Sequence, residues 1–169
     1  MNTYLQRVRD AIADATRGMT AEQLTRHPAE GKWSAAEILE HLSRAYKTSI
    51  PHLQKCLDGG EPLATAAGWK QRVIATVVVD MGYMPSGRKA PEFTRPKGAP
   101  VEQVLQDIPQ HLTTLDQVLS ECERRFGATV KLADHPILGP LTVNQWRKFH
   151  WVHTRHHLKQ IARLRRLES

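Results

Sequence analysis

Two cysteines are all that the 169 residues contain, too few for a disulfide scaffold. Cys56 and Cys122 stand far apart, each in a stretch of helical patterning, and are expected as buried free thiols of a reducing compartment. Long apolar runs are also missing. The longest, Val73 to Val79, falls well short of the roughly 20 residues a membrane helix needs. The first residues place charges where an export signal would carry its apolar core, so the expectation is a cytoplasmic protein. Acidic residues are scarce beside basic ones, 17 against 24, for a net charge of +7. What is there, 40% apolar and 24% charged residues, excludes disorder and a collagen-like chain. The length fits one domain over residues 1–169. A chain of this size buries about two thirds of its unfolded surface and needs neither metal nor disulfide merely to fold.

Helical periodicity fills most of the sequence. Leu5, Val8, Ile12 and Ala15 recur at three- and four-residue spacing and stop at Gly18. Thr20 with Gln23 marks a short helical turn. Ser34 with Glu37 and Thr142 with Gln145 form capping boxes, in which the hydroxyl takes one unpaired amide and the longer side chain reaches back for another. Behind Ser34 come Ala35, Ile38, Leu42, Ala45, Ser49 and Leu53, with Pro51 expected to kink or break the helix near Ile50. Val101, Val104, Leu105, Ile108, Leu112, Leu115, Leu119 and Cys122 mark a further long helix. Pro100 suits its first turn and Pro109 should bend it. The last helix opens at Thr142 and runs to about Leu167. Pro85 to Pro100 is a proline-rich loop of a length often used for binding, and Gly127 starts another that ends at Pro140. Residues 68–84 hold strand formers such as Val77, Val78 and Val79. No partner strand is visible, and a lone strand leaves its backbone unpaired, so the segment is read as helix. The sum is an all-α protein, a four-helix bundle with a short extra helix and long loops.

Histidine is abundant, with nine in the chain and four of them between Phe149 and His157. His153 and His157 lie four apart, so on a helix they share a face. Two imidazoles so placed can converge on one metal ion, and His41, between Ile38 and Ala45 on the inward side of its helix, is the best third ligand. Chance alone supplies roughly half a pair at this spacing in such a chain, so the pair by itself is a weak signal. A core histidine with satisfied ring nitrogens fits His41 equally in kind. Glu37 and Gln160 are placed to orient ligand imidazoles, although Glu37 already serves a capping box and Gln160 suits an ordinary interhelical hydrogen bond.

Two stretches carry a resemblance. Trp33-Ser34-Ala35-Ala36-Glu37-Ile38-Leu39-Glu40-His41-Leu42 is similar to the first ligand helix of the DinB/YfiT-like superfamily. His153-Thr154-Arg155-His156-His157-Leu158-Lys159-Gln160-Ile161 is similar to its second motif. The run His135 to Thr142, then Gln145-Trp146, resembles one uncharacterised branch. The resemblance implies a four-helix bundle holding a divalent metal, nickel or zinc, on His41, His153 and His157. It further implies a homodimer and, from some relatives, a transferase that uses a low-molecular-weight thiol. A metal-dependent hydrolase fits the same donor set.

Other residues invite plainer readings. His150 could line the mouth of the pocket, though a packed or exposed place is the favoured reading. His156 sits about a quarter turn from His157 and is not expected to ligate. His111 reads as a core histidine, and His135 as a residue that fixes its loop or caps the pocket. Trp33, Trp69, Trp146 and Trp151 read as core, and Arg88 and Lys89 as loop charges able to attract an anion. The last helix concentrates Arg147, Lys148, Arg155, Lys159, Arg163, Arg165 and Arg166 against Glu168 alone. That opens a second class of function, a nucleic-acid or anion binder. These cations spread around the helix axis and no nucleic-acid motif accompanies them, so nucleic acid is not the expected partner. A third reading is metal binding without catalysis.

Overall fold

A computed structural model describes residues 1–87 and 89–166. Six α-helices carry the fold: α1 (Thr3–Thr16), α2 (Ala21–Thr25), α3 (Ala35–Gly59), α4 (Trp69–Ala75), α5 (Val101–Phe126) and α6 (Val143–Arg166). The four long ones, α1, α3, α5 and α6, form the bundle. Helix α3 packs along α5 and α1 along α6, while α3–α6 and α1–α5 contacts close the ring. The helices start where their capping chemistry dictates. Ser34 accepts the Glu37 amide at 3.2 Å while the Glu37 carboxylate takes the Ser34 amide at 2.8 Å. Thr142 and Gln145 pair in the same way ahead of α6, as do Thr20 and Gln23 ahead of α2.

The apolar stripes meet in one core. Leu5, Val8 and Ile12 of α1 join Ile38, Leu42 and Leu53 of α3, Ile108, Leu112 and Leu115 of α5, and Trp146, Val152 and Ile161 of α6. Cys56 and Cys122 are buried there as free thiols. Burial, reinforced by the neighbouring Cys56, pushes the Cys122 thiol up to about 11, so it stays a protonated, inert packing group.

Two local expectations are corrected, the loop ahead of α6 and the core place of Trp69. Pro51 and Pro109 lie inside α3 and α5, which continue as helices on both sides of them, so neither proline breaks its helix. Residues 131–142 are not all loop. Strand β1 (Lys131–His135) pairs antiparallel with β2 (Gly139–Thr142), and Gly139 takes φ +70° at the turn, a conformation that favours glycine. The valine-rich segment is helical but changes pitch, α4 giving way to a π-helical stretch at Thr76–Asp80. Trp69 is 72% exposed rather than core. Helix α6 reaches Arg166; Leu167 and Glu168, like Arg88, lie outside the described residues. Among the described residues, no helix is long and apolar enough to cross a membrane.

Candidate metal centre

His41 on α3 and His153 and His157 on α6 meet between these two helices. The His41 Nε2 lies 3.1 Å from His153 Nε2, and His157 Nε2 lies 3.1 Å from the same atom. All three possible ligand atoms fall within 4.8 Å of one another. Two nitrogens bound to one ion at about 2.0–2.1 Å stand roughly 2.9–3.4 Å apart for angles from square to tetrahedral. Both spacings to His153 Nε2 lie inside that range, and the His41–His157 pair is within 4.8 Å, so small ring shifts bring the donor set onto one cation.

Hydrogen bonds behind the rings decide which nitrogen faces inward. His41 Nδ1–H donates to the Thr94 carbonyl at 2.9 Å, and His157 Nδ1–H donates to Gln160 Oε1 at 2.8 Å. Each bond fixes the tautomer that leaves an Nε2 lone pair toward the cluster. The Gln160 amide nitrogen stands 3.5 Å from His156 Nε2, and His156 in turn bonds the backbone of Met84. His156 therefore supports the residue that supports His157. His153 differs, because its Nδ1 is buried with no hydrogen-bond partner. Its ring is held instead by Phe149, stacked at 5.5 Å and 10° between planes.

All three imidazoles are pushed toward the neutral form that ligates. Burial lowers His41 below 6.5, partly offset by the Thr94 carbonyl. Burial, then the charges of His157 and His41, hold His153 well below that value. Burial first and His41 second bring His157 to about 3. Desolvation penalises the imidazolium, and two protonated rings this close would repel.

Thr94 depends on a carboxylate next to His41 in the chain. Glu40 is 5% exposed and accepts the amides of Lys97, Gly98 and Ala99 at 2.8, 3.0 and 3.1 Å. One turn on, Arg44 donates to the Phe93 carbonyl at 2.9 Å. Helix α3 thus ties down the proline-rich loop with the same face that presents His41. Glu37, expected near the ligands, stays with Ser34 and approaches His27 at 3.4 Å. His150 is fully buried rather than at the pocket mouth, packed on Tyr46 and Trp146, with both ring nitrogens unpartnered.

The triad opens into a cavity of about 540 Å³. Apolar walls come from α4, the π-helical stretch and Phe149, with the loop before α5 and the hairpin tip closing the rim. His135 does both things weighed for it. Its Nδ1 accepts the Ile137 and Leu138 amides at 3.2 and 3.3 Å, fixing the turn, while the ring lines the cavity. His111 is half-buried and bonded to Ser43 at 3.0 Å.

Three of the seven cations of α6 are tied into the fold. Arg147 is buried and paired with Glu123 at 2.7 Å. Lys148 donates to the Asp80 carbonyl, and Arg155 to that of Gly82.

A helical bundle with histidines from two of its helices around one point defines the class, and the sequence comparisons agree. The family model described as the DinB superfamily matches residues 4–161, and the chain belongs to that superfamily. The chain is also similar to the uncharacterized protein YuaE of Bacillus subtilis (strain 168). The two are 26% identical over 162 residues, covering 88% of this chain and 87% of that protein.

Proposed function

We propose that the chain holds one divalent ion, zinc or nickel, on His41, His153 and His157, and works as a metal-dependent transferase or hydrolase on a small molecule. A low-molecular-weight thiol is the co-substrate that the family resemblance favours, the same resemblance extends the proposal to a homodimer, and the two free buried thiols suit a cytoplasmic place. The observation that carries the reading is the meeting of three Nε2 atoms from residues up to 116 positions apart, two of them with the outer nitrogen already committed to an acceptor. Three neutral imidazoles leave at least one position open to water or substrate, as catalytic sites do. A bound divalent ion supplies a coordinated water or thiol of lowered pKa. The chain's own residues do the rest. Thr94 and Gln160 aim the two outer rings, Phe149 holds the middle one, and apolar walls flank the open position.

One observation favours metal binding without turnover. Among the described residues no Asp or Glu lines the cavity, so no carboxylate stands ready as a general base.

Elemental analysis of tag-free protein tests the metal. Wild type should carry about one equivalent per chain and His153→Ala little. Equal metal in both would remove His153 from the site.

A further inference from the structure

We infer that the cavity takes an amphipathic acid, with an anionic oxygen head at the triad and an aliphatic or aromatic body along the walls. The inference rests on the metal reading above. Its first support is charge. A divalent ion on three neutral imidazoles keeps its full charge, and a buried uncompensated charge is costly. In carboxylate-bearing sites the protein supplies the balance. Among the described residues the ionisable groups on the lining are histidines together with Lys32 and Lys89, all bases, with no acidic side chain. The compensating anion therefore comes from outside the side chains, as hydroxide from a bound water or as the head of an acidic ligand that displaces it.

The second support is shape. About 540 Å³ is the volume of a site for a mid-sized organic ligand. Val77, Met84 and Phe149 give it apolar walls. The apolar surface continues to the mouth, where Val73, Phe93 and Ile137 remain 55%, 47% and 36% exposed. An inorganic anion or a short acid would leave these walls wet, whereas a longer apolar body covers them and gains the corresponding burial. His135 adds directionality. With Nδ1 accepting two amides, its proton sits on Nε2, so the ring offers the cavity a donor rather than an acceptor.

The test is calorimetric titration of the cobalt(II)-loaded full chain with acetate, hexanoate, octanoate and octanol, cobalt content being measured first. Affinity should rise about three- to fourfold for each methylene from acetate to octanoate. Octanol should bind at least ten times more weakly than octanoate. Val73→Glu, at an exposed position on the rim, should weaken octanoate severalfold with cobalt content unchanged. One cobalt per chain with octanoate no tighter than acetate, or no tighter than octanol, overturns this inference alone. Failure to take up cobalt overturns the metal reading and this inference with it.

Discussion

His41 and His157 are held by hydrogen bonds, whereas His153 between them is held by packing. The outer two each give Nδ1–H to an oxygen at 2.9 and 2.8 Å. The middle ring has no such partner and stacks on Phe149. A directional bond sets both tautomer and ring angle, while a stack sets the plane and leaves the proton free to choose either nitrogen. The arrangement therefore joins two rings with a defined donor atom to one that adapts. The contrast continues along α6, where Trp146 Nε1 and both nitrogens of His150 are also buried without partners. One side of the site is locked and the other is polar but unsatisfied.

Removing any of the three rings should have the largest effect. His41→Ala, His153→Ala and His157→Ala should each lower zinc affinity by more than about 100-fold, beyond what loss of an outer partner does, as measured by competition with a chelator. A ring whose loss leaves affinity unchanged is not a ligand. Next come the partners. Gln160→Leu should weaken zinc about 10–100-fold with little change in melting temperature, since Gln160 is half-buried at the cavity edge. Glu40→Ala should do so from further away. It strands three loop amides, should destabilise the fold by roughly 3 kcal/mol, and should weaken zinc through loss of the Thr94 contact. An unchanged chelator midpoint in Glu40→Ala would show that the loop does not orient His41.

The unsatisfied side gives the smallest effect, and it depends on pH. Burial, and then the neighbouring His135, hold His150 at about 3. Below the ordinary 6.5 the unfolded chain binds a proton there that the folded chain refuses, so stability falls as pH drops through the window from 6.5 to about 3. The groups around the ring are Tyr46 on α3, Trp146, Phe149 and His153 on α6, and His135 on β1. His150→Phe removes one titrating group and two unpartnered nitrogens. Its stability at neutral pH should be unchanged or slightly raised, and its loss on acidification smaller by up to about 1.4 kcal/mol per pH unit. Parallel acid limbs for wild type and variant in calorimetry would contradict this.

Much of this molecule is legible in its residues. The α3 stripe of Ala35, Ile38, Leu42, Ala45, Ser49 and Leu53 is buried throughout, because a 3.6-residue period leaves an apolar stripe nowhere else to go. The capping boxes set their helix starts because both partners sit three residues apart in the chain. The His41, His153 and His157 group was readable as a same-face pair with an inward third residue. Glu40 was not, because its partners are backbone amides 57–59 residues away, which no side-chain pattern encodes. Glu37 drew attention in its place by its spacing to His41, although its carboxylate is committed at the helix start. The hairpin escaped notice because its second strand holds Gly139 and Pro140, poor strand formers whose pairing is set by a tight turn. His150 looked like a pocket residue by its spacing from His153, but at three residues' distance it turns toward Tyr46 and the core.

X-ray absorption at the metal edge of the zinc-loaded protein tests the central claim most directly. The account predicts three imidazole nitrogens at about 2.0–2.1 Å with one or two lighter oxygen or nitrogen neighbours, and one imidazole fewer in His157→Ala. A spectrum built from oxygen or sulfur donors, or one that keeps the same imidazole number in the variant, would contradict it.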